Sequence, residues 1–423
     1  MRLRLIYPHF RKFLADKPVL RDLLRDHVVG DYTMPPSLAL PIIAACTPAD
    51  VTVNLTDDNI GQPIDYNEPV DAVIISCFTP QAARAYAIAD EFRRHGRTVI
   101  MGGIHPTAMP QEALLHADAV CVGEVEPVWL AILADLKSGR LKPLYQSSGV
   151  YNLADLPIPR RDIFPQNLYK WNAHLVITMR GCPVRCGGCP IPHKEGTLLR
   201  FRPIDNIVAD IRSMPYRQFY LTDDTVMLPG KRSHKFMLAL MERTAELDVS
   251  IFVASTMMMV NDPLFFTTLR KGGVSSMYTV MGFDRESAAL FDGTASAAQY
   301  QAAIDLVRMN EDAGIRFFAS FGVGFDSQDG RVFDRILKFA ADARIDLAEF
   351  YILTPFPGTP FGEQIEREGR LLHRDYSRWN HGNVVFKPRN FSVEELEKGF
   401  EYLWREFYRN KKATRTVASF EIQ

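Results

Sequence analysis

The sequence predicts a mixed α/β protein with two consecutive parallel sheets and a small helical region at the carboxyl end. Two observations lead to this prediction. Short apolar runs alternate with segments of helical periodicity over residues 1–142, and a second series of the same kind covers residues 171–365. Between them, residues 143–170 hold four prolines and little periodicity, which is typical of a surface linker. Residues 366–423 form the fourth region.

The apolar runs of the first region predict five strands: Leu3–Tyr7, Val51–Thr56, Ala72–Cys77, Thr98–Met101 and Asp118–Val122. With a helix expected over Gln81–His95, this alternation predicts a doubly wound, Rossmann-like sheet. Such sheets bind ligands at the carboxyl ends of their strands, where glycine and proline let a large ligand approach the backbone. The candidate contacts at those ends are Tyr7, Pro8, Thr79, Pro80, Gly102, Gly103, His105, Pro106, Gly123 and Glu124.

The second region predicts six further strands: Leu175–Thr178, Gln218–Thr222, Ile251–Ala254, Met277–Gly282, Arg316–Phe321 and Leu347–Ile352. Segments between them, such as Ala297–Ala313, have helical periodicity. Six consecutive strand–helix units predict a partial, open (β/α)6 barrel. Catalytic groups of a barrel lie where its strands run into the following loops.

The carboxyl-terminal region predicts one long helix. A capping box from Ser392 to Glu395 marks its start, and it is expected to end near Tyr408. Its large apolar side chains form one stripe, and such a stripe more often packs against a core than binds a cofactor. The stripe consists of Phe400, Leu403, Trp404 and Phe407.

Composition limits the compartment and the partners. The formal net charge is -1, which gives no reason to expect a nucleic-acid partner. No apolar stretch reaches the roughly 18 residues that a transmembrane helix needs. Cys46, Cys77 and Cys121 are scattered in or beside apolar runs, which indicates buried core residues and no disulfide framework. We therefore expect a protein of the reducing cytoplasm.

The other three cysteines form a Cys-x3-Cys-x2-Cys triplet, Cys182, Cys186 and Cys189, directly after the first barrel strand. This position lies on the catalytic face of the predicted barrel. Three such thiolates suit three corners of a [4Fe–4S] cluster and leave one iron open to bind a small molecule. The alternative is a structural zinc site with His193 as the fourth ligand.

The triplet, its position and the six strand–helix units resemble the radical S-adenosylmethionine (SAM) enzymes. The first region resembles the cobalamin-binding domain that precedes the barrel in one large branch of that family. Five further motifs are similar to that branch: Gly102–Pro106, Val122–Glu126, Tyr220–Asp224, Phe321–Asp326 and Ile352–Pro360. The resemblance covers essentially the whole chain, and the triplet and the last motif are its most specific parts.

The resemblance implies a role for each matching residue. The three cysteines hold the cluster, and its open iron binds the amino and carboxylate groups of SAM. Asp223 or Asp224 receives the amino group of SAM, unless it only caps a helix. Ser255 and Asp284 bond the ribose hydroxyls, and Gly322 and Gly324 let adenine lie against the backbone, unless they mark a bulge.

Two departures from the family pattern stand out. The family usually has a bulky residue before the third cysteine, near the adenine of SAM, where this chain has Gly188. The pocket is then either roomier or filled by another side chain. The chain also lacks an Asp-x-His-x-x-Gly motif, so cobalt would have no protein histidine below it. His105 then either contacts the corrin edge or is a turn residue, and the domain itself either binds cobalamin or is only a scaffold.

The resemblance implies a cobalamin-dependent methyltransferase that acts on an unactivated carbon of a small, apolar or planar intermediate. A tetrapyrrole or a polycyclic lipid fits this description. A ferredoxin or flavodoxin-type protein would supply the electron, and His193 is the candidate side chain for direct contact with substrate. The alternatives are a radical SAM cyclase or oxidase without methyl transfer, and a non-catalytic zinc-binding scaffold.

Overall fold

The computed structural model describes residues 1–24, 27, 37–147, 149–165, 168–169, 174–222, 230–257 and 262–411. Within these ranges the chain forms two parallel six-stranded sheets and a two-stranded antiparallel ribbon. The predicted α/β class with two consecutive parallel sheets is therefore confirmed. No helix of the described part of the chain is long and apolar enough to cross a membrane.

The first sheet has the strand order β2-β1-β3-β4-β5-β6. Its strands are β1 (Arg2–Tyr7), β2 (Thr52–Asp57), β3 (Ala72–Ser76), β4 (Thr98–Gly102), β5 (Ala119–Val122) and β6 (Leu144–Gln146). The accompanying helices are α1 (Pro18–Leu23), α2 (Ala39–Cys46), α3 (Ala82–Arg94), α4 (Ile104–Ala108), α5 (Pro110–Ala113) and α6 (Trp129–Lys137). All five residues of β3 are buried, as expected for a central strand covered on both faces.

The segment predicted as a surface linker is more ordered than expected. Residues 144–146 form the edge strand β6, so the first sheet extends past the predicted boundary at residue 142. Further along, Leu153, Phe164 and Tyr169 are buried against the first sheet or the barrel. The strand escaped prediction because an edge strand of three residues, with one buried side chain, is too short to have a period.

The second sheet has the order β14-β13-β12-β11-β10-β7, so each of its strands pairs with the sheet strand that comes next in the sequence. Its strands are β7 (His174–Val176), β10 (Gln218–Leu221), β11 (Ser250–Thr256), β12 (Val274–Met281), β13 (Arg316–Val323) and β14 (Leu347–Ile352), and the ribbon consists of β8 (Met179–Arg180) and β9 (Arg200–Phe201). The helices are α7 (Ile191–Lys194), α8 (Ile204–Arg212), α9 (Lys231–Thr244), α10 (Pro263–Lys271), α11 (Arg285–Asp292), α12 (Ala297–Asp312), α13 (Val332–Asp342) and α14 (Pro360–Arg367). Sequential parallel order with two free edges is the arrangement of a partial barrel.

The carboxyl-terminal helix α15 (Val393–Tyr408) begins at the predicted capping box, where Ser392 Oγ accepts from Glu395 N over 3.1 Å. Its apolar stripe is buried, as predicted. Trp404 and Phe407 pack on Phe350 of β14, with ring centroids 5.2 Å and 5.6 Å away. This contact covers the outer face of the last barrel strand, so the inner face of β14 is left to line the barrel interior.

Candidate active site

The cysteine triplet lies on the loop that follows the ribbon strand β8. Cys182 N donates to Gly196 O over 3.1 Å, which fixes the start of the loop. Gly181, just before it, has a φ of 85°, and a Cβ there would lie 2.3 Å from Leu198 O. Only glycine fits so close an approach of two backbone segments.

All three cysteines line one cavity of about 430 Å³ inside the mouth of the barrel. The cavity is mainly apolar with a few polar side chains, as small-molecule sites generally are. The other described lining residues are Phe10, Phe13, Val184, Gly188, Pro190, Ser255, Thr256, Tyr278, Val280, Phe283, Asp284, Glu349, Tyr351, Phe356, Asn380 and His381. Segments distant in the sequence therefore meet around the triplet.

The donor set fits a cluster better than a single ion. None of the three cysteines is in a disulfide. Among the described residues, no group of three or more His, Cys, Asp or Glu side chains is arranged to hold one metal ion. His193 is exposed and does not line the cavity, so the zinc alternative and the proposed substrate contact of His193 are both without geometric support. A [4Fe–4S] cubane is wider than one ion, and each ligated iron takes one thiolate.

Burial, helped by the neighbouring Cys182, raises the pKa of the Cys186 thiol to about 11. The thiol is therefore neutral near pH 7 unless a cation stabilises its thiolate. A bound iron ion supplies that stabilisation, because coordination to a metal deprotonates a thiol.

Two predicted SAM contacts, Ser255 and Asp284, line the same cavity as the cysteines. Ser255 Oγ shares a 2.8 Å hydrogen bond with Thr279 Oγ1. Asp284 caps α11, because its carboxylate accepts from Ser287 N over 2.9 Å and from Ser287 Oγ over 2.6 Å. Both polar groups are thus held in fixed orientations at the cavity wall.

The other predicted SAM contacts are placed differently. Asp223 and Asp224 lie outside the described residues. Gly322 and Gly324 do not line the cavity. A Cβ at Gly322 would lie 2.7 Å from Tyr351 Oη, and one at Gly324 would lie 3.1 Å from Leu396 Cδ2. Protein side chains therefore fill the space beside both glycines, where adenine was expected.

Gly188 does not leave a roomier pocket, because the ring of Phe283 fills the space beside it. Phe283 follows β12 and stacks on Tyr351, with ring centroids 5.5 Å apart and an interplanar angle of 12°. The bulky group that the family pattern places within the triplet is thus supplied here by a different strand.

Several cavity residues had no clear signal in the sequence. His381 is one: its φ of 64° is rare outside glycine, and such backbone strain is concentrated at functional sites. Its Nδ1 lies 3.3 Å from Ile352 O, and burial lowers its pKa to about 4. The imidazole is therefore neutral near pH 7. In the sequence, only the polar run Asn380–Asn383 indicated that this segment could line a site.

A second cavity, of about 380 Å³, lies between the carboxyl edge of the first sheet, the barrel strand β7 and the ribbon strand β8. Five of the predicted cobalamin contacts line it: Tyr7, Gly102, Gly103, Gly123 and Glu124. Nothing lies within 4 Å of the position that a Cβ on Gly123 would take, so the backbone there is open to a ligand. The position and the glycine-lined wall fit a large planar cofactor.

The remaining predicted contacts, Pro8, Thr79, Pro80, His105 and Pro106, are buried and do not line this cavity. His105 bonds Thr79 Oγ1 through Nδ1 and Glu112 Oε1 through Nε2, each over 3.2 Å. Tyr376 Oη donates to the other oxygen of Glu112 over 3.2 Å. His105 therefore connects α4 to the carboxyl-terminal region, and the expectation that it touches the corrin is corrected.

Arg180 joins the two cavities. It lines the second cavity and stands two residues before Cys182. Its guanidinium donates to Glu124 Oε1 over 2.7 Å and to Glu126 Oε1 over 2.6 Å. Arg200 from β9 also donates to Glu124, over 2.9 Å. Both glutamates follow β5 of the first sheet, so these nearly buried ion pairs fix the cysteine loop relative to that sheet.

Comparisons with known proteins agree with a chain that consists of an amino-terminal α/β region and a following barrel region. The B12 binding domain family matches residues 31–133. Bacteriochlorophyllide d C-12(1)-methyltransferase from Chlorobaculum tepidum is 27% identical over 90% of this chain and 84% of its own length. Bacteriochlorophyllide d C-8(2)-methyltransferase from the same organism is 26% identical over 91% of each chain. Anaerobic magnesium-protoporphyrin IX monomethyl ester cyclase from Rubrivivax gelatinosus is 24% identical over 85% of this chain and 70% of its own.

Among solved structures, the radical S-adenosylmethionine methyltransferase TsrM from Kitasatospora setae, with cobalamin and a [4Fe–4S] cluster bound, has a similar fold. The TM-score is 0.65, with 14% identity over 87% of this chain and 78% of that one. At this identity the likeness concerns the fold. It agrees with the predicted order of a parallel α/β sheet followed by a partial barrel.

Proposed function

We infer that this chain is a radical SAM enzyme with an amino-terminal cobalamin-binding domain, and we propose that it is a C-methyltransferase. It transfers a methyl group to an unactivated carbon of a small biosynthetic intermediate. Its cofactors are a [4Fe–4S] cluster, SAM and cobalamin. A tetrapyrrole substrate is supported by the relatives named for bacteriochlorophyllide methylation, and a polycyclic lipid fits the apolar cavity equally well.

One observation carries this proposal: a single loop borders both cavities. Arg180 lines the glycine-lined cavity of the first sheet, and Cys182 lines the barrel cavity. A methyl donor in the glycine-lined cavity and a radical generator in the barrel cavity would therefore face a substrate near the same loop. A scaffold that binds only one metal has no use for the second cavity.

When bound, the three cofactors together supply a carbon-centred radical and a transferable methyl group. The chain holds and shields them. The triplet ligates the cluster, Ser255 and Asp284 bind polar groups of SAM, and Arg180 fixes the distance between the two cofactor sites. The apolar walls, such as Val280 and Phe356, exclude water from reactive species.

The reaction needs an electron for the cluster, and we propose a ferredoxin or flavodoxin-type donor. We place the protein in the reducing cytoplasm, because none of its six cysteines is in a disulfide. The regions 1–142 and 171–365 then act as the cobalamin unit and the SAM unit, joined by the segment 143–170. The region 366–423 contributes His381 to the SAM unit.

The test is anaerobic reconstitution with iron, sulfide and cobalamin, followed by SAM, a reductant and a chlorophyllide-type tetrapyrrole. We expect 5′-deoxyadenosine, S-adenosylhomocysteine and a product heavier by one CH2 unit. Cys186→Ala should lose the cluster absorbance band and all three products, whereas Cys46→Ala, outside both cavities, should keep them. A well-formed cluster that yields neither SAM product would contradict the proposal.

A ring-forming or oxidising reaction is the second candidate, and the similarity to the cyclase of Rubrivivax gelatinosus favours it. Such a reaction would release 5′-deoxyadenosine without S-adenosylhomocysteine. The mass of the product separates the two candidates, because only methyl transfer adds a CH2 unit.

A further inference from the structure

Three adjacent strands each place one polar residue in the interior of the barrel: Tyr278 on β12, Ser320 on β13 and Glu349 on β14. Ser320 Oγ donates to Glu349 Oε1 over 2.9 Å, and Tyr278 Oη lies 2.7 Å from Ser320 Oγ. Tyr278 Oη also donates to Glu349 Oε1. Both hydrogen bonds to this carboxyl group thus go to Oε1, and Oε2 bonds to none of the described residues. One oxygen is used to fix the side chain, and the other remains for a ligand.

Glu349 lines the same cavity as the cysteine triplet, but at a deeper level. Tyr351, two residues further along β14, is on the same face of the strand and stacks on Phe283, which lies against Gly188 of the cysteine loop. Two residues of a strand advance by about 6.6 Å, so Glu349 is one layer further from the cysteines than Tyr351. A ligand that reaches Oε2 therefore extends from the cysteine end toward the barrel floor.

The charge at this depth is unbalanced. The described cavity lining contains the carboxylates Asp284 and Glu349 and neither lysine nor arginine. The carboxylate of Asp284 is engaged by Ser287 as a helix cap. Burial raises the pKa of Glu349, because a negative charge is poorly solvated at this depth of the cavity. A ligand carboxylate would add such a charge, whereas a hydroxyl or ammonium group would give Oε2 a hydrogen bond.

We propose that Glu349 anchors the buried end of the substrate, and that this end carries a hydroxyl or amino group and not a carboxylate. The assignment rests on the proposed function, since it takes this cavity as the substrate site. Glu349 is then a specificity-determining residue, and Tyr278 and Ser320 are positioning residues that fix its rotamer. The substrate is an apolar skeleton with one hydrogen-bond donor at its leading end.

The experiment measures binding without turnover. The full-length protein with reconstituted cluster, cobalamin and SAM, but no reductant, is titrated calorimetrically with four rigid probes of one skeleton. These probes are 1-adamantanol, 1-adamantanamine, 1-methoxyadamantane and adamantane-1-carboxylate. We expect the alcohol and the amine to bind about tenfold more tightly than the ether and the carboxylate, the size of one or two net hydrogen bonds.

Two variants assign that preference to Glu349. Glu349→Leu should make the alcohol and the ether bind equally. Glu349→Gln keeps the side-chain volume, but its single amide oxygen accepts the bonds from Tyr278 and Ser320 and its NH2 group faces the ligand. It should therefore lose the preference for the alcohol and the amine over the ether and the carboxylate. Glu363→Gln, at an exposed position on α14, should change neither. Circular dichroism confirms that each variant is folded.

The proposal is overturned if the wild-type protein binds the ether or the carboxylate as tightly as the alcohol. It is also overturned if Glu349→Leu still binds the alcohol more tightly than the ether. If that variant also loses affinity for SAM, Glu349 belongs to the SAM site. Turnover is assayed separately. A Glu349-dependent preference without any SAM products refutes the methyltransferase function alone, and products without the preference refute the anchor alone.

Discussion

Phe283 Cε1 lies 3.0 Å from the position that a Cβ on Gly188 would take, so an aromatic ring from the loop after β12 occupies the place of a side chain within the cysteine triplet. Leu353 Cδ1 lies 3.1 Å from the same position. Gly188 and Phe283 come from distant parts of the barrel sequence, yet they form one wall of the cavity. A larger side chain at position 188 is therefore expected to need a smaller one at position 283.

Gly188→Phe should destabilise the protein by about 1–3 kcal/mol, because the new ring overlaps Phe283. The double variant Gly188→Phe with Phe283→Gly should recover much of this loss, since it moves the ring from one strand to the other. Urea unfolding of the metal-free protein gives both free energies. Gly187→Ala, where nothing lies within 4 Å of the added carbon, is the matched control. If the losses of unfolding free energy from the two substitutions simply add in the double variant, the two side chains do not compete for the same space.

Arg180→Met should cost about 3–5 kcal/mol of unfolding free energy, because it leaves the side chain of Glu126, which is 3% exposed, without its guanidinium. Arg180→Lys should recover only part, since an ammonium group cannot make both hydrogen bonds in the same geometry. Arg243→Met removes an exposed pair with Asp205 and should cost less than about 1 kcal/mol. Equal losses of unfolding free energy in Arg180→Met and Arg243→Met would show that the buried ion pair of Arg180 contributes no more than an exposed pair.

Gly103→Ala should destabilise the first sheet, whereas Gly102→Ala should be tolerated. Gly103 has a φ of 100°, and a Cβ there would lie 2.8 Å from Cys77 O. A Cβ at Gly102 meets its nearest atoms at 3.7 Å, an ordinary contact distance. We expect a loss of about 1–3 kcal/mol for the first variant in thermal unfolding. Matching melting temperatures for both variants would show that the close approach at Gly103 is absent in solution.

The contribution of His174 and His381 to stability should fall as the pH drops from about 6.5 toward 4. Burial lowers the pKa of His174 and of His381 to about 4 each. Between these values and the ordinary pKa of 6.5, the unfolded chain binds protons that the folded chain does not, so acid favours unfolding. Each group contributes about 3 kcal/mol, fully present above pH 6.5.

His174→Phe tests this pH dependence, because it keeps a ring stacked on Tyr216, 3.7 Å away between centroids. The slope of unfolding free energy against pH, from urea titrations between pH 4.5 and 7.5, should become shallower. His9→Gln, at an exposed position, should leave the slope unchanged. An unaltered slope in His174→Phe would mean that His174 binds its proton over the same pH range in the folded and the unfolded chain.

The sequence was sufficient for the longer strands and the cluster loop because both depend on local signals, whereas the short strands β6, β8 and β9 were missed. β14 was predicted at its observed bounds, Leu347–Ile352, from an apolar run. The cavity contacts depend instead on how distant segments meet. Gly102, Gly103 and Gly123 were predicted to contact a ligand, and all three line the second cavity. His105 has the same local context, but its ring turns toward Glu112, and only the packing of α4 decides that.

Glu349 and His381 could not be found by motif. Glu349 is one polar residue in an otherwise apolar strand, and its significance comes from Tyr278 and Ser320 on neighbouring strands. His381 belongs to a region with little periodicity. Long-range pairing of polar groups leaves no periodic trace in a single sequence.

Asn380 bonds the backbone oxygen of Arg11 across 369 positions of sequence, and the cavity that holds the cysteines is lined from both sides of this contact, by Phe10, Phe13 and His381. Residues 10–13 are synthesised near the start of translation, and residues 380–381 are synthesised near its end. The wall of the pocket around the triplet can therefore be complete only after residues near both ends of the chain have been synthesised. Iron–sulfur delivery to a nascent chain would meet exposed thiols, whereas delivery to the finished fold must pass this closure.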